Sequence, residues 1–157
     1  MTHYLTLLAI LHASPDLPPV SGIPYSFEPI IQRYSAAYLV PTWLCRRVAF
    51  AESSWRPRCL TSVIRNGRHI VSRGLFQINR DHERELATKA GILPWRFDWR
   101  NPDDSAHVGV AYLGRLIRKY HGDLRKAVAA YNVGPGWMDS GRPLPAETVE
   151  YQRRVLR

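Results

Sequence analysis

The chain reads as a mostly α-helical domain with one small β-hairpin, and three observations point there. From Phe27 onward, apolar residues recur at helical spacing through most of the chain. One stretch breaks that period: Val63-Ile64-Arg65-Asn66-Gly67-Arg68-His69-Ile70-Val71 sets β-branched runs on both sides of Asn-Gly. Asn-Gly favours a type I′ turn, which needs φ > 0 at both central residues. The third observation is a carboxylate, Glu52, placed alone just ahead of that hairpin.

Residues 1–25 read as a possible signal segment and linker, and residues 26–157 as one domain. Tyr4 to Ala13 is apolar but too short to span a membrane. It resembles the apolar part of a signal peptide, although only His3 stands where a Lys or Arg is usual. Residues 14–24 are rich in Pro, Ser and Gly. The spacing of Phe27, Ile30, Ile31, Tyr34 and Tyr38 predicts the first helix of the domain. Thr42 is expected to cap the next, which ends at Glu52. After the hairpin, Gly74-Leu75-Phe76-Gln77-Ile78-Asn79 is expected to be extended, with Gln77 and Asn79 on one face. A helix is predicted over Asp81–Ala90, stopped by Gly91. Asn101-Pro102 opens a long helix to about His121, with Val108, Ala111, Tyr112, Leu113 and Leu116 facing inward. Asp123 starts another helix, broken by Gly134-Pro135-Gly136, and Pro145 starts the last.

Glu52 closes the run Trp43-Leu44-Cys45-Arg46-Arg47-Val48-Ala49-Phe50-Ala51-Glu52, and no further acid appears until Asp81. Six arginines fill the interval: Arg56, Arg58, Arg65, Arg68, Arg73 and Arg80. Apolar packing raises a carboxyl pKa and nearby arginines lower it, so the two effects compete. A raised carboxyl is what a general acid near neutral pH requires. The alternative is a helix-terminal Glu paired with an Arg.

At 157 residues and 45% hydrophobic, the chain can bury one core but not two. The net charge of +9 invites a nucleic-acid reading, yet the positive charge is spread along the chain rather than gathered in an arm. No cofactor or metal site is expected, because the six His show no ligand spacing with Cys or acids. Cys45 and Cys59 stand seven residues either side of Glu52, and both a disulfide and two free thiols fit that spacing.

Four motifs stand in order: Glu52-Ser53, Gly74-Leu75-Phe76-Gln77, Ala130-Tyr131-Asn132 with Gly134, and Pro145 to Tyr151. Together they resemble the lytic transglycosylase domain of glycoside hydrolase family 23, the soluble-lytic-transglycosylase and goose-type-lysozyme group. Glu52-Ser53 stands where the family has Glu-Ser, and Gly74-Leu75-Phe76-Gln77 where it has Gly-Leu-Met-Gln. Ala130-Tyr131-Asn132 with Gly134 stands where it has Ala-Tyr-Asn-x-Gly. Pro145-Ala146-Glu147-Thr148-Val149-Glu150-Tyr151 resembles its closing Pro-x-Glu-Thr-x-x-Tyr. The hairpin and the Gly-Leu-Phe-Gln-Ile-Asn wording are also similar to the small transglycosylases of bacterial secretion and conjugation systems.

The resemblance implies a lysozyme-like α+β domain that cleaves the β-1,4 MurNAc–GlcNAc bond of peptidoglycan. Glu52 would be the acid and Tyr131 would hold it in position. Ser53, Gln77, Phe76, Asn79, Asn132 and Tyr151 would serve substrate, the amides reading sugar hydroxyls and N-acetyl groups and Phe76 forming a wall. The expected partners are peptidoglycan glycan strands and a secretion or conjugation apparatus, with no nucleic acid and no stable membrane insertion. A periplasmic or secreted monomer is expected. Two departures stand out: Phe76 replaces the family's Met, and Ser72-Arg73 occupies the hairpin position where some members carry a second acid. A muramidase that uses water and a non-catalytic wall-binding assembly factor are the alternatives.

Overall fold

The computed structural model describes residue 24 and residues 26–157 apart from Asn66; the possible signal segment and linker lie almost wholly outside them. Among the described residues, seven helices and a three-stranded sheet follow in the order α1 (Glu28–Tyr38), α2 (Thr42–Ser53), β1 (Leu60–Arg65), β2 (Arg68–Arg73), β3 (Ile78–Asn79), α3 (Glu83–Lys89), α4 (Pro102–Lys119), α5 (Leu124–Val133), α6 (Pro135–Asp139) and α7 (Ala146–Leu156).

The long helix α4 is the axis of the fold. Asn101 caps it by accepting from the Asp103 N–H, and Pro102 needs no donor at that position. Ala106, Val108, Val110, Leu113, Leu116 and Ile117 are buried along it, so it is covered on most of its circumference. α1, α3 and α5 pack against it, while α7 packs against α2 and α5. Two glycines permit the closest approaches. A Cβ at Gly109 would come within 2.4 Å of the Phe76 ring, and one at Gly114 within 3.0 Å of the Tyr38 carbonyl. Asp123 caps α5 as its sequence position suggests, accepting from the Lys126 N–H.

The hairpin forms with a two-residue connection, Arg65 pairing with Arg68, and Gly67 takes φ +71°. β3 adds a short third strand, setting Asn79 beside Ser72 and Ile78 beside Arg73. An Arg73–Glu83 ion pair joins the hairpin to α3, and the Arg73 guanidinium also lies over the Trp99 ring.

Three local expectations differ from what forms. Thr42 does not cap α2; Pro41 precedes the helix without a side-chain cap, and the Thr42 hydroxyl meets the Ser35 hydroxyl at 2.6 Å. Gly134-Pro135-Gly136 ends α5 but then opens the short helix α6, because Pro135 suits a first helical position. Gly74–Gln77 is a turn rather than an extended segment, with Gly74 at φ +85° and Gln77 at φ +48°. Cys45 is a buried free thiol and Cys59 a half-buried one.

Candidate active site

Glu52 stands at the last turn of α2, where the chain must leave the helix at once. Ser54 and Trp55 both take positive φ, 51° and 62°, without being glycine, a conformation that costs on the order of 1 kcal/mol or more each. Burial of the Trp55 ring beside Phe27 and Phe50 offsets that strain. The abrupt stop leaves the Glu52 carboxyl at the edge of a cleft of about 710 Å³.

Protein surrounds Glu52 on nearly every side except the cleft. Burial pushes its pKa up from 4.5 to about 7, against a hydrogen bond from Tyr151 and the charge of Arg154, both of which pull it down. The carbonyl end of α2 also disfavours negative charge at this position. The Tyr151 hydroxyl donates to Glu52 Oε1 at 2.6 Å, from a ring that is 2% exposed. Burial and the Glu52 charge hold both the Tyr151 and Tyr131 hydroxyls well above the usual tyrosine range, so both remain protonated donors.

The other candidates divide between the cleft and the framework beneath it. Gln77, Asn79, Tyr131 and Asn132 line the cleft. The Gln77 amide is committed to the protein: its Nε2 donates to the Gly74 carbonyl at 2.9 Å and the Cys59 carbonyl at 3.1 Å, and its Oε1 accepts from Thr61. It ties the turn to the start of β1. Among the described residues, Asn79 and Asn132 are engaged through the amide oxygen, accepting from the Asp81 N–H and the Thr148 hydroxyl respectively. The Tyr131 hydroxyl goes to the Phe76 carbonyl at 2.9 Å, so the direct tyrosine contact to Glu52 comes from Tyr151 instead. Ser53 is buried and donates to the Ala49 carbonyl. Phe76 is fully buried under Gly109, with its N–H bonded to Ser105 Oγ; it is part of the floor's support and not of the cleft surface.

Thr61, Val63, Ile70 and Ser72 form the hairpin's contribution to the cleft, and none is an acid. His82, Glu85, Leu86 and Lys89 of the α3 segment and Tyr112 and Arg115 of α4 form another wall. Apart from Tyr112, expected on the inner face of α4, none of these is marked by the sequence motifs, although positions 82, 85, 86 and 89 carry the one-face helical spacing that could mark them. Glu85 is a second cleft carboxylate, and it pairs with Lys89.

A buried acid beside a small hairpin, above a helical core, is the arrangement of a lysozyme-like fold. Residues 29–142 match the family model of the transglycosylase SLT domain, and the chain belongs to that family. The fold is similar to that of the 70 kDa soluble lytic transglycosylase of Escherichia coli, at 22% identity and a TM-score of 0.70 over 85% of this chain. It is also similar to the lytic transglycosylase Slt of Pseudomonas aeruginosa in an inactive mutant form, at 23% identity and a TM-score of 0.72 over 85% of this chain. The chain spans 23% of the length of each.

Proposed function

We propose that this protein is a peptidoglycan lytic transglycosylase, cleaving the β-1,4 bond between MurNAc and GlcNAc and leaving 1,6-anhydroMurNAc. The observation that carries the reading is the state of Glu52: a carboxyl raised to about 7, open to a cleft and held by a tyrosine hydroxyl. Such a group keeps a substantial protonated fraction near neutrality and becomes a competent base once its proton has gone. Glu52 donates its proton to the glycosidic oxygen, and the C1–O bond breaks. The 2-acetamido group stabilises the cationic C1. Glu52, now a carboxylate, takes the proton from the sugar's C6 hydroxyl, and O6 closes onto C1. The acid is regenerated and no water is consumed. Asn79 and Asn132 hold sugars through their amide NH2 groups.

The absence of an acid on the hairpin's cleft face supports ring closure over the two-carboxylate route. A water-using muramidase is the second reading, and Glu85 is the observation in its favour, since it lines the same cleft. Its pairing with Lys89 weighs against a nucleophilic role. The deciding experiment digests purified sacculi and determines the muropeptide masses. Anhydro products, lighter by one water than reducing-end products, are expected; reducing-end MurNAc from wild-type protein would establish the muramidase instead.

The setting we infer is the cell wall, periplasmic or outside the cell, with a monomer opening the mesh locally for a secretion or conjugation apparatus. The net charge of +9 favours concentration on an anionic wall. No helix among the described residues is long and apolar enough to cross a membrane.

A further inference from the structure

The wall built by α3 and α4 carries a positive charge that the proposed reaction does not use. His82, Glu85, Leu86 and Lys89 face the cleft from α3 and the residue before it, and Tyr112 and Arg115 face it from α4. Lys89 and Glu85 pair and cancel. Arg115 is left over. Its Nη1 is buried without a hydrogen-bond partner, and no carboxylate among the described residues forms an ion pair with it. Glu85 lies near enough to feel the Arg115 charge, but Lys89 already engages it. Arginine stays protonated, so the charge cannot be relieved by losing a proton. A partly buried, uncompensated guanidinium costs stability unless something neutralises it. It lines a cleft, and its planar fork suits a carboxylate held by two hydrogen bonds.

We propose that Arg115 forms a carboxylate-binding subsite in the cleft, engaging the acidic substituent on the 3-oxygen of a muramic acid residue. This rests on the reading of the cleft as a peptidoglycan site. The carboxylate has two sources. In a peptide-bearing strand it belongs to the attached peptide; in a stripped strand it is the free lactyl carboxylate. In either case Arg115 selects acid-bearing strands over neutral β-1,4 glycans and fixes which of the alternating sugars stands beside it.

The test measures binding by calorimetry at low salt, using the full chain with Glu52→Gln to prevent turnover. The ligands are peptide-bearing glycan oligomers, peptide-stripped oligomers, and both after amidation of their carboxylates. Binding of at least one acid-bearing oligomer about tenfold tighter than its amidated form is expected, the scale of a charged hydrogen-bonded pair. Adding Arg115→Met should remove that difference, with a larger loss on the acid-bearing ligand than on its amidated form. The acid-bearing ligand that shows the difference identifies the source. Equal affinity for acid and amidated ligands overturns the subsite, and so does an equal loss on both in Arg115→Met. The ligand comparison needs no Arg115 variant, so it decides the matter even if Arg115→Met fails to fold. Arg115→Lys, which keeps the charge but not the fork, should keep part of the preference. Cleavage of sacculi by wild-type protein without any carboxylate preference removes the subsite alone. Failure to bind or cleave any glycan removes the functional reading and the subsite together.

Discussion

Replacing Glu52 with Gln should reveal the acid's strained environment as a pH-dependent gain in stability. Gln keeps the shape and can still accept from Tyr151, but it cannot ionise. The folded carboxyl titrates at about 7 against 4.5 for an exposed one. Between those values the folded protein holds a proton that the unfolded chain has released. The stabilisation from that proton is fully present below pH 4.5 and is lost as pH rises through about 7. The shift of about two and a half pKa units corresponds to roughly 3 kcal/mol. Glu52→Gln and wild type should therefore unfold alike in urea near pH 4, with the variant more stable by roughly 3 kcal/mol near pH 8. At about 2–4 °C per kcal/mol, melting temperatures should separate by several degrees at the higher pH. Sacculus cleavage by the variant should fall by about 10²-fold or more. Stability curves that run parallel from about pH 4 to 8 would refute the raised carboxyl, and near-wild-type cleavage would remove Glu52 from the chemistry.

Three further outcomes follow from the contacts. Tyr151→Phe removes a bond that favours the Glu52 carboxylate, so the alkaline limb of the pH–rate profile should move up while turnover falls by about tenfold; an unmoved profile would make Tyr151 a packing residue only. Tyr131→Phe leaves the Phe76 carbonyl without its donor and should cost about 1 kcal/mol by urea unfolding, with a smaller effect on the Glu52 titration than Tyr151→Phe. Gly109→Ala would force a Cβ against the Phe76 ring and should destabilise by about 1–3 kcal/mol in thermal melts, whereas Gly136→Ala, which meets nothing nearby, should be close to neutral.

Where the fold and the candidate site depend on local chemistry, the sequence is legible. The β1–β2 pairing, the Asn101 and Asp123 caps and the isolation of Glu52 each follow from residues a few positions apart. What escaped reading depended on tertiary contact or on unusual backbone. Tyr151 reaches Glu52 across 99 positions, and no periodicity announces such a bond. Gln77 takes a left-handed conformation that a non-glycine residue rarely adopts, which turned an expected strand into a turn and drew its amide into the protein. Phe76 leaves the cleft wall because Gly109 admits its ring beneath the surface. The Arg115 wall depends on the packing of α3 against α4, whereas the sequence marks only the ends of α3 and the core face of α4.

Residue 76 is gripped from three directions: its N–H by Ser105, its ring by the gap at Gly109 and its carbonyl by Tyr131. A cleft floor moored to two helices in this way leaves the incoming strand little to rearrange. Association should then be a single kinetic phase whose observed rate rises linearly with strand concentration, with no slower isomerisation after the encounter. A site ready beforehand would gain speed at the expense of breadth: a strand with bulky modification along that floor would meet a surface held by three contacts.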